Sequence, residues 1–236
     1  MQHILITGAN RGIGLELTRQ YLQTADVFVF ATCRQPENAT DLIKLVRVYP
    51  ERLTILPLDV TNTEQSQTVV QTIQQRTNKI DTLINNAGIN PTDKNLRRLG
   101  ELDGAAIQAV IYTNAIAPLL FTQACVELLK NGTNPRVIMV SSQMGSLDWT
   151  KSGGSYAYRI SKAAMNMAAR TLAMDLGAHN ITTITLHPGW VQTDMGGSGA
   201  DIPTQESAAG IIQVIQKLTP ADNGTFLKWN GEDHAW

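Results

Sequence analysis

Short apolar runs alternate with longer amphipathic stretches along the whole chain. The runs fall at residues 3–7, 27–32, 53–58, 82–85, 136–141, 181–187 and 225–228. Ile4-Leu5-Ile6 and Val137-Ile138-Met139-Val140 are apolar at every position, so both faces of such a strand must be covered. Helical spacing of apolar residues marks 13–23, 64–76, 105–129, 156–176 and 206–217. Strand alternating with helix implies right-handed crossovers. The expected fold is therefore α/β: a single doubly wound, Rossmann-type parallel sheet of about seven strands with helices on both faces. No repeat, low-complexity tract or linker divides the chain, so residues 1–236 are expected to form a single domain. The Gly/Ser-rich stretch 196–200 reads as a loop over a pocket rather than a hinge.

Composition narrows the classes without choosing among them. A chain of 236 residues, 43% hydrophobic and 17% charged, can bury one sizeable core and gives no sign of disorder. A net charge of -1 supplies no electrostatic reason to expect nucleic acid or an anionic membrane. No apolar run approaches the ~18 residues of a membrane span. The first residues enter a strand with no signal-peptide pattern, which points to the cytoplasm. Cys33 and Cys125 are too few for a disulfide framework and read as small core residues. The four histidines have no ligand spacing, so no catalytic metal is expected.

Two local patterns carry chemistry. Thr7-Gly8-Ala9-Asn10-Arg11-Gly12-Ile13-Gly14 follows the first strand and opens the first helix. Glycines there let the main chain approach a pyrophosphate, which the helix N-terminus stabilises; a tight structural turn would also use them. After the second strand, where an acidic residue would accept the adenosine ribose hydroxyls, stands Arg34. Arg34, helped by Arg11, offers a cationic site for a 2′-phosphate and favours NADP(H) over NAD(H), unless both are solvated surface charges. Asp59 and Val60 follow the third strand, where the carboxylate could take the adenine amino group. A helix N-cap role for Asp59 or for Thr61 is open too.

The second pattern is Tyr158-Arg-Ile-Ser-Lys162. Residues i and i+4 share a helix face, so the ammonium can stand beside the phenol and lower its pKa from ~10, making it a usable acid or base. A solvated helix face would show the same spacing. Tyr156, six residues before the lysine, lies off that face.

In order along the chain, these motifs resemble the short-chain dehydrogenase/reductase family over nearly the full length. The likeness rests on the glycine motif from Thr7 to Gly14, Asn85-Asn86-Ala87-Gly88, Asn114, Ser142, the Tyr158/Lys162 pair, and Pro188-Gly189 followed by Val191 and Thr193. Val-Ser-Ser-Gln-Met-Gly-Ser, His-Pro-Gly-Trp-Val-Gln-Thr-Asp-Met and Phe-Leu-Lys-Trp-Asn-Gly are similar to its carbonyl-reductase-type branch, which includes the C-factor and sniffer proteins.

The resemblance implies an NADP(H)-dependent oxidoreductase acting on a small carbonyl or alcohol. Tyr158 would be the general acid/base and Ser142 would hold the substrate oxygen. Lys162 would also anchor the nicotinamide ribose, and Asn114 would lie at a helix distortion that holds a proton-relay water. Asn86, Ala87, Gly88, Pro188, Gly189, Val191 and Thr193 would contact the cofactor. Ser141 stands beside Ser142, and the Ser142–Tyr158 separation exceeds the family's commonest, but the matching pattern places the reactive serine second in Ser-Ser, which selects Ser142. The family also implies a homo-oligomer, dimer or tetramer, paired through the helices near 105–129 and 156–176. A protein of another class, a nucleotide-binding signalling protein like C-factor in which turnover is secondary, is the alternative; an NAD-dependent alcohol dehydrogenase is a third, which Arg34 opposes. Met144, Leu147, Trp149, Trp190 and Met195 suggest a partly hydrophobic substrate, although core packing explains most apolar residues. The segment 195–205 reads as a short, mobile stretch.

Overall fold

The computed structural model describes residues 1–91, 93 and 97–236. Among them seven strands make one sheet: β1 (Gln2–Ile6), β2 (Val27–Cys33), β3 (Leu53–Pro57), β4 (Thr82–Asn85), β5 (Arg136–Val140), β6 (Thr182–His187) and β7 (Phe226–Lys228). Their spatial order is β3-β2-β1-β4-β5-β6-β7, every pairing parallel. This is the doubly wound order, with its switch point between β1 and β4.

Period-two alternation sorts the side chains of each strand onto two cores. Ile4, Ile6, Val29 and Ala31 face one side, where α1 (Gly12–Gln23), α2 (Thr40–Val48) and α7 (Thr204–Lys217) supply Leu17, Leu42 and Ile211. Leu5, Phe28 and Phe30 face the other, against α3 (Thr63–Gln74), α5 (Ala117–Lys130) and α6 (Tyr156–Gly177), which supply Ile73, Phe121 and Met165. All seven residues of β2 are buried, as its uninterrupted apolar sequence requires. Both cysteines are free and buried.

One expected helix divides. The stretch 105–129 becomes α4 (Gly104–Ile111), a π-wound turn (Tyr112–Ile116) and α5. Pro118, which has no N–H to give, sits in the first turn of α5. Within Gly104–Lys130 an 18-residue window has a mean hydropathy of 1.5, so by length and composition alone this helix could cross a membrane, although polar residues such as Gln108, Asn114 and Gln123 interrupt its apolar run. Its apolarity has two sources: Phe121, Cys125, Leu128 and Leu129 in the core, and Tyr112, Ile116 and Leu120 turned outward. The helix α2 lies beyond the five stretches marked by the pattern; it is short and fully buries Leu42 alone.

Candidate active site

The carboxyl ends of the strands border a cleft of about 800 Å³. Its wall takes Gly8 from the end of β1, Cys33 and Arg34 from β2, Asp59 after β3, Gly88 after β4, Val140 from β5 and Pro188 after β6. It therefore crosses the switch point, where open α/β sheets bind ligands.

The glycine turn is held in place from β4. Thr7 Oγ1 accepts from the main-chain N–H of Asn86 and of Ala87, each at 3.0 Å. Asn86 Nδ2 in turn donates to the carbonyls of Thr7 and Gly8, at 2.9 and 3.1 Å. Gly8 has φ +66°, a left-handed conformation that favours glycine, and a Cβ there would meet Ala87 Cα at 3.0 Å. A Cβ on Gly14 would strike the Gly8 carbonyl oxygen and come within 2.6 Å of Asn86 Nδ2. No side chain caps α1 and no acidic residue stands in its first turn. By contrast α3 and α4 are capped by Asn62 and Asp103, which accept from Gln65 N–H at 3.0 Å and Ala106 N–H at 2.7 Å. The first N–H groups of α1 are left for an incoming anion, so the cradle fits a dinucleotide pyrophosphate.

At the end of β2, Arg34 is exposed on the cleft wall, joined there by Gln35 and Asn38. The neighbouring Asp59 carboxyl is held below its usual pKa, first by hydrogen bonding to Thr61 and further by the Arg34 charge. Asp59 Oδ1 accepts from the Thr61 N–H at 2.9 Å and hydroxyl at 2.7 Å. The open N-cap question closes on neither Asp59 nor Thr61, since Asn62 caps α3. Arg11, read as the helper of Arg34, turns its guanidinium to Asp194 at 2.9 Å and joins the glycine turn to the segment after Gly189.

Tyr158 and Lys162 lie one turn apart on α6, both buried and both in the cleft wall. Ser142 lies close enough to the phenol to oppose the rise in its pKa. Ser141 Oγ donates instead to Asn166 Oδ1 at 2.6 Å, so Ser142 is the serine that faces the tyrosine. The expectation that Lys162 lowers the phenol's pKa is not met in this arrangement. Burial pushes Tyr158 up to about 12, only partly opposed by Ser142. Burial likewise draws Lys162 down to about 8. The reason is orientation: Lys162 Nζ donates to the Val140 carbonyl at 2.9 Å and sits 5.8 Å from the Tyr158 ring centroid. A phenol held so high is a proton donor at neutral pH.

Asn114 lies in the π-wound turn, the distortion the resemblance implied. Its Oδ1 accepts from the Ile89 N–H at 2.8 Å, and its Nδ2 donates to the Ile89 carbonyl at 2.8 Å and Ser161 Oγ at 2.9 Å. Ser161 then donates to the Tyr158 carbonyl at 2.8 Å. Asn114 thus ties the loop after β4 to the tyrosine's own turn.

Of the expected site residues, Gly8, Asn10, Arg11, Gly12, Ile13, Arg34, Asp59, Val60, Asn86, Ala87, Gly88, Tyr158, Lys162, Pro188 and Thr193 line the cleft. Gly14, Asn114, Ser142, Gly189 and Val191 are not among its lining residues. Val191 is buried and forms a bridge with Ile202, and Gly189 packs against Ile202 and Trp229. The stretch 195–205 is tied back to the segment after Gly189 through that bridge. Gln192 N–H donates to the Ile202 carbonyl at 2.9 Å, Gln192 Nε2 to the Ala200 carbonyl at 3.1 Å, and Trp190 Nε1 to the Gly196 carbonyl at 2.9 Å. Sequence reasoning quoted Thr7 and Ser161 inside motifs without giving them a role, and missed Gln35, Asn38, Ile89 and Asn166. Gln35 and Ile89 directly follow Arg34 and Gly88, a signal that could have found them. Among the described residues no three His, Cys, Asp or Glu gather as a metal site.

The order of the sheet and the chemistry gathered at its switch point place the protein among the Rossmann-type oxidoreductases. Comparison narrows this: the short chain dehydrogenase model matches residues 2–201, and the chain belongs to that family. Over 160 residues it is 43% identical to the C-signal of Myxococcus xanthus, covering 68% of this chain and 95% of that protein. Among solved structures, the carbonyl reductase Sniffer of D. melanogaster superposes with a TM-score of 0.94 at 35% identity, covering 100% of both chains. The NADPH-bound carbonyl reductase from chicken fatty liver gives 0.93 at 36% identity, covering 100% of this chain and 99% of that one.

Proposed function

We propose that the protein is an NADP(H)-dependent carbonyl reductase of the cytoplasm, a single domain binding both nucleotide and a small carbonyl or alcohol. The observation that carries this reading is Tyr158, a buried phenol with Ser142 beside it, in the wall of the cleft that Arg34 also lines. Bound along that wall, the nicotinamide cofactor supplies the hydride. The glycine turn and the N-terminus of α1 hold the pyrophosphate, while Gly88, Pro188 and Thr193 border the nicotinamide end. As negative charge grows on the substrate oxygen, Tyr158 donates its proton and Ser142 its hydrogen bond. Lys162, once its amine turns from the Val140 carbonyl, would steady the resulting phenolate and the ribose. A π-wound turn frees a main-chain carbonyl, a seat near Asn114 for the water that returns the proton.

Arg34 and Arg11 select the phosphorylated nucleotide. The Arg11–Asp194 pair is exposed and contributes little, so a 2′-phosphate can draw the guanidinium away. Arg34→Glu is expected to weaken NADPH binding by roughly ten- to hundred-fold, the worth of a charge-assisted bond, and to leave NADH nearly unchanged. Fluorescence titration with both nucleotides checks this; equal losses for the two would remove Arg34 from phosphate recognition.

The likeness to the C-signal supports a second reading, a signalling protein that binds nucleotide with turnover secondary. Purified protein incubated with NADPH and a panel of aliphatic and aromatic aldehydes and ketones separates the two. Steady NADPH oxidation supports the reductase; nucleotide binding with no oxidation on any carbonyl would leave the signalling reading.

Self-association is proposed through α6 and the helices beside it. Ile160, Met167 and Met174 recur every seventh residue on α6, 44%, 68% and 57% exposed, near the outward Tyr112, Ile116 and Leu120. Large exposed apolar groups in one stripe mark an interface. Met167→Glu should shift the protein to monomers in analytical ultracentrifugation, and an unchanged oligomer would exclude this face.

A further inference from the structure

The loop that carries Ser142 is fastened at both ends. Its inner fastening is Asn166 on α6, which accepts from Ser141 Oγ at 2.6 Å and donates to the Gly145 carbonyl at 3.1 Å. Between these, Ser142 opens a single 3-10 turn (Gln143–Gly145). The outer fastening comes from ninety residues away. The main-chain oxygen of Trp236 accepts three bonds: Ser146 Oγ at 2.9 Å, the Leu147 N–H at 2.7 Å and the Asp148 N–H at 3.1 Å.

That oxygen is itself held firmly. The tail doubles back along β7: Lys228 N–H donates to the Glu232 carbonyl at 2.8 Å and His234 N–H to the Phe226 carbonyl at 2.7 Å. The His234 ring stacks on Phe226 at 4.6 Å, and the Trp236 indole lies 5.3 Å from the same ring. Ser146 is fully buried and passes the fastening on, accepting from the Trp149 N–H at 3.1 Å through Oγ and from Thr150 Oγ1 at 2.7 Å through its carbonyl.

We infer that Trp236 is a positioning residue for the reaction, acting through its main-chain oxygen to hold the Ser142 turn against Tyr158. The inference rests on the reductase reading above. The oxygen satisfies one hydroxyl and two consecutive N–H groups four to six residues beyond Ser142. Without it the turn keeps its inner fastening, Asn166 and the Ser141 N–H bond to the Leu186 carbonyl, but loses the outer one, and Ser142 gains freedom to move from the phenol. A displacement of about 1 Å at a catalytic contact costs up to about 10²-fold in rate.

The test compares three altered forms with the unaltered chain. A chain ending at Ala235 should lose roughly ten- to hundred-fold in kcat for carbonyl reduction, with KM for NADPH unchanged because the cradle is untouched. Restoring position 236 as alanine returns the oxygen without the indole and should rescue most of the loss. Ser146→Ala removes one of the three donors and should fall between; it also serves if the shortened chain fails to fold. Amide hydrogen exchange at Leu147 and Asp148, fast in the shortened chain and slow in the other two, reports the anchor whether or not the protein turns over. If wild type reduces no carbonyl while exchange behaves as stated, the reductase reading falls and the anchor stands. Unchanged kcat in the shortened chain, or no rescue by Trp236→Ala, overturns the inference.

Discussion

Replacing Tyr158 with phenylalanine is expected to lower kcat for carbonyl reduction by about 10³-fold, the scale of a lost general acid. The ring stays, so the fold and the cleft wall should stay with it. Only the proton is removed. Tyr158 is almost completely buried, with Ser142 beside its phenol. Tyr158→Phe therefore leaves one serine hydroxyl to turn to water or substrate and creates no cavity. NADPH affinity should hold within about twofold, since the pyrophosphate cradle and Arg34 are on other elements. Stopped-flow reduction and a nucleotide titration read both quantities. Retained turnover would transfer the acid role to another group, and the half-buried Tyr156 would be the next to test.

Much of this site could be read from the chain because its parts are local. The glycine turn directly follows β1, and Tyr158 and Lys162 are one helical turn apart, so spacing alone fixes their relation. Strand positions were recovered to within a residue or so at each end because strands buried on both sides are apolar throughout. What stayed hidden depends on distant partners. The choice of Ser142 over Ser141 came only from the family pattern; its physical reason, Asn166 occupying the Ser141 hydroxyl, is a tertiary contact. The direction of the Lys162 amine depends on the Val140 carbonyl, and no helical spacing reports that. The sequence argument correctly put lysine and tyrosine on one face. It treated them as if solvent and neighbours were absent, and burial reversed the sign of the expected pKa change. The division of the helix at Asn114 was likewise implied only by resemblance, since its apolar spacing runs on through the π turn.

Lys162→Met should separate what the lysine does for the reaction from what it does for the fold. Its amine is drawn from 10.5 to about 8 by burial. Between those values the folded protein binds fewer protons than the unfolded chain, so wild-type stability rises with pH across that window. Below it the full burial penalty is present, about 3 kcal/mol. Methionine removes that penalty but leaves the Val140 carbonyl without its donor, which costs about 1–3 kcal/mol. The variant should therefore be as stable as wild type at pH 7 or up to about 2 kcal/mol more so by denaturant unfolding. Wild type should close on it as pH is raised from 8 toward 10. Turnover should nonetheless drop by at least about 10²-fold, because no cation remains to stabilise a phenolate formed in a buried wall. A variant both inactive and several kcal/mol less stable would make Lys162 a structural prop. One that is stable and active would remove the cation from the mechanism. Inactivity without lost stability is the signature of a charge kept in the core for chemistry, at a cost the rest of the sheet must offset.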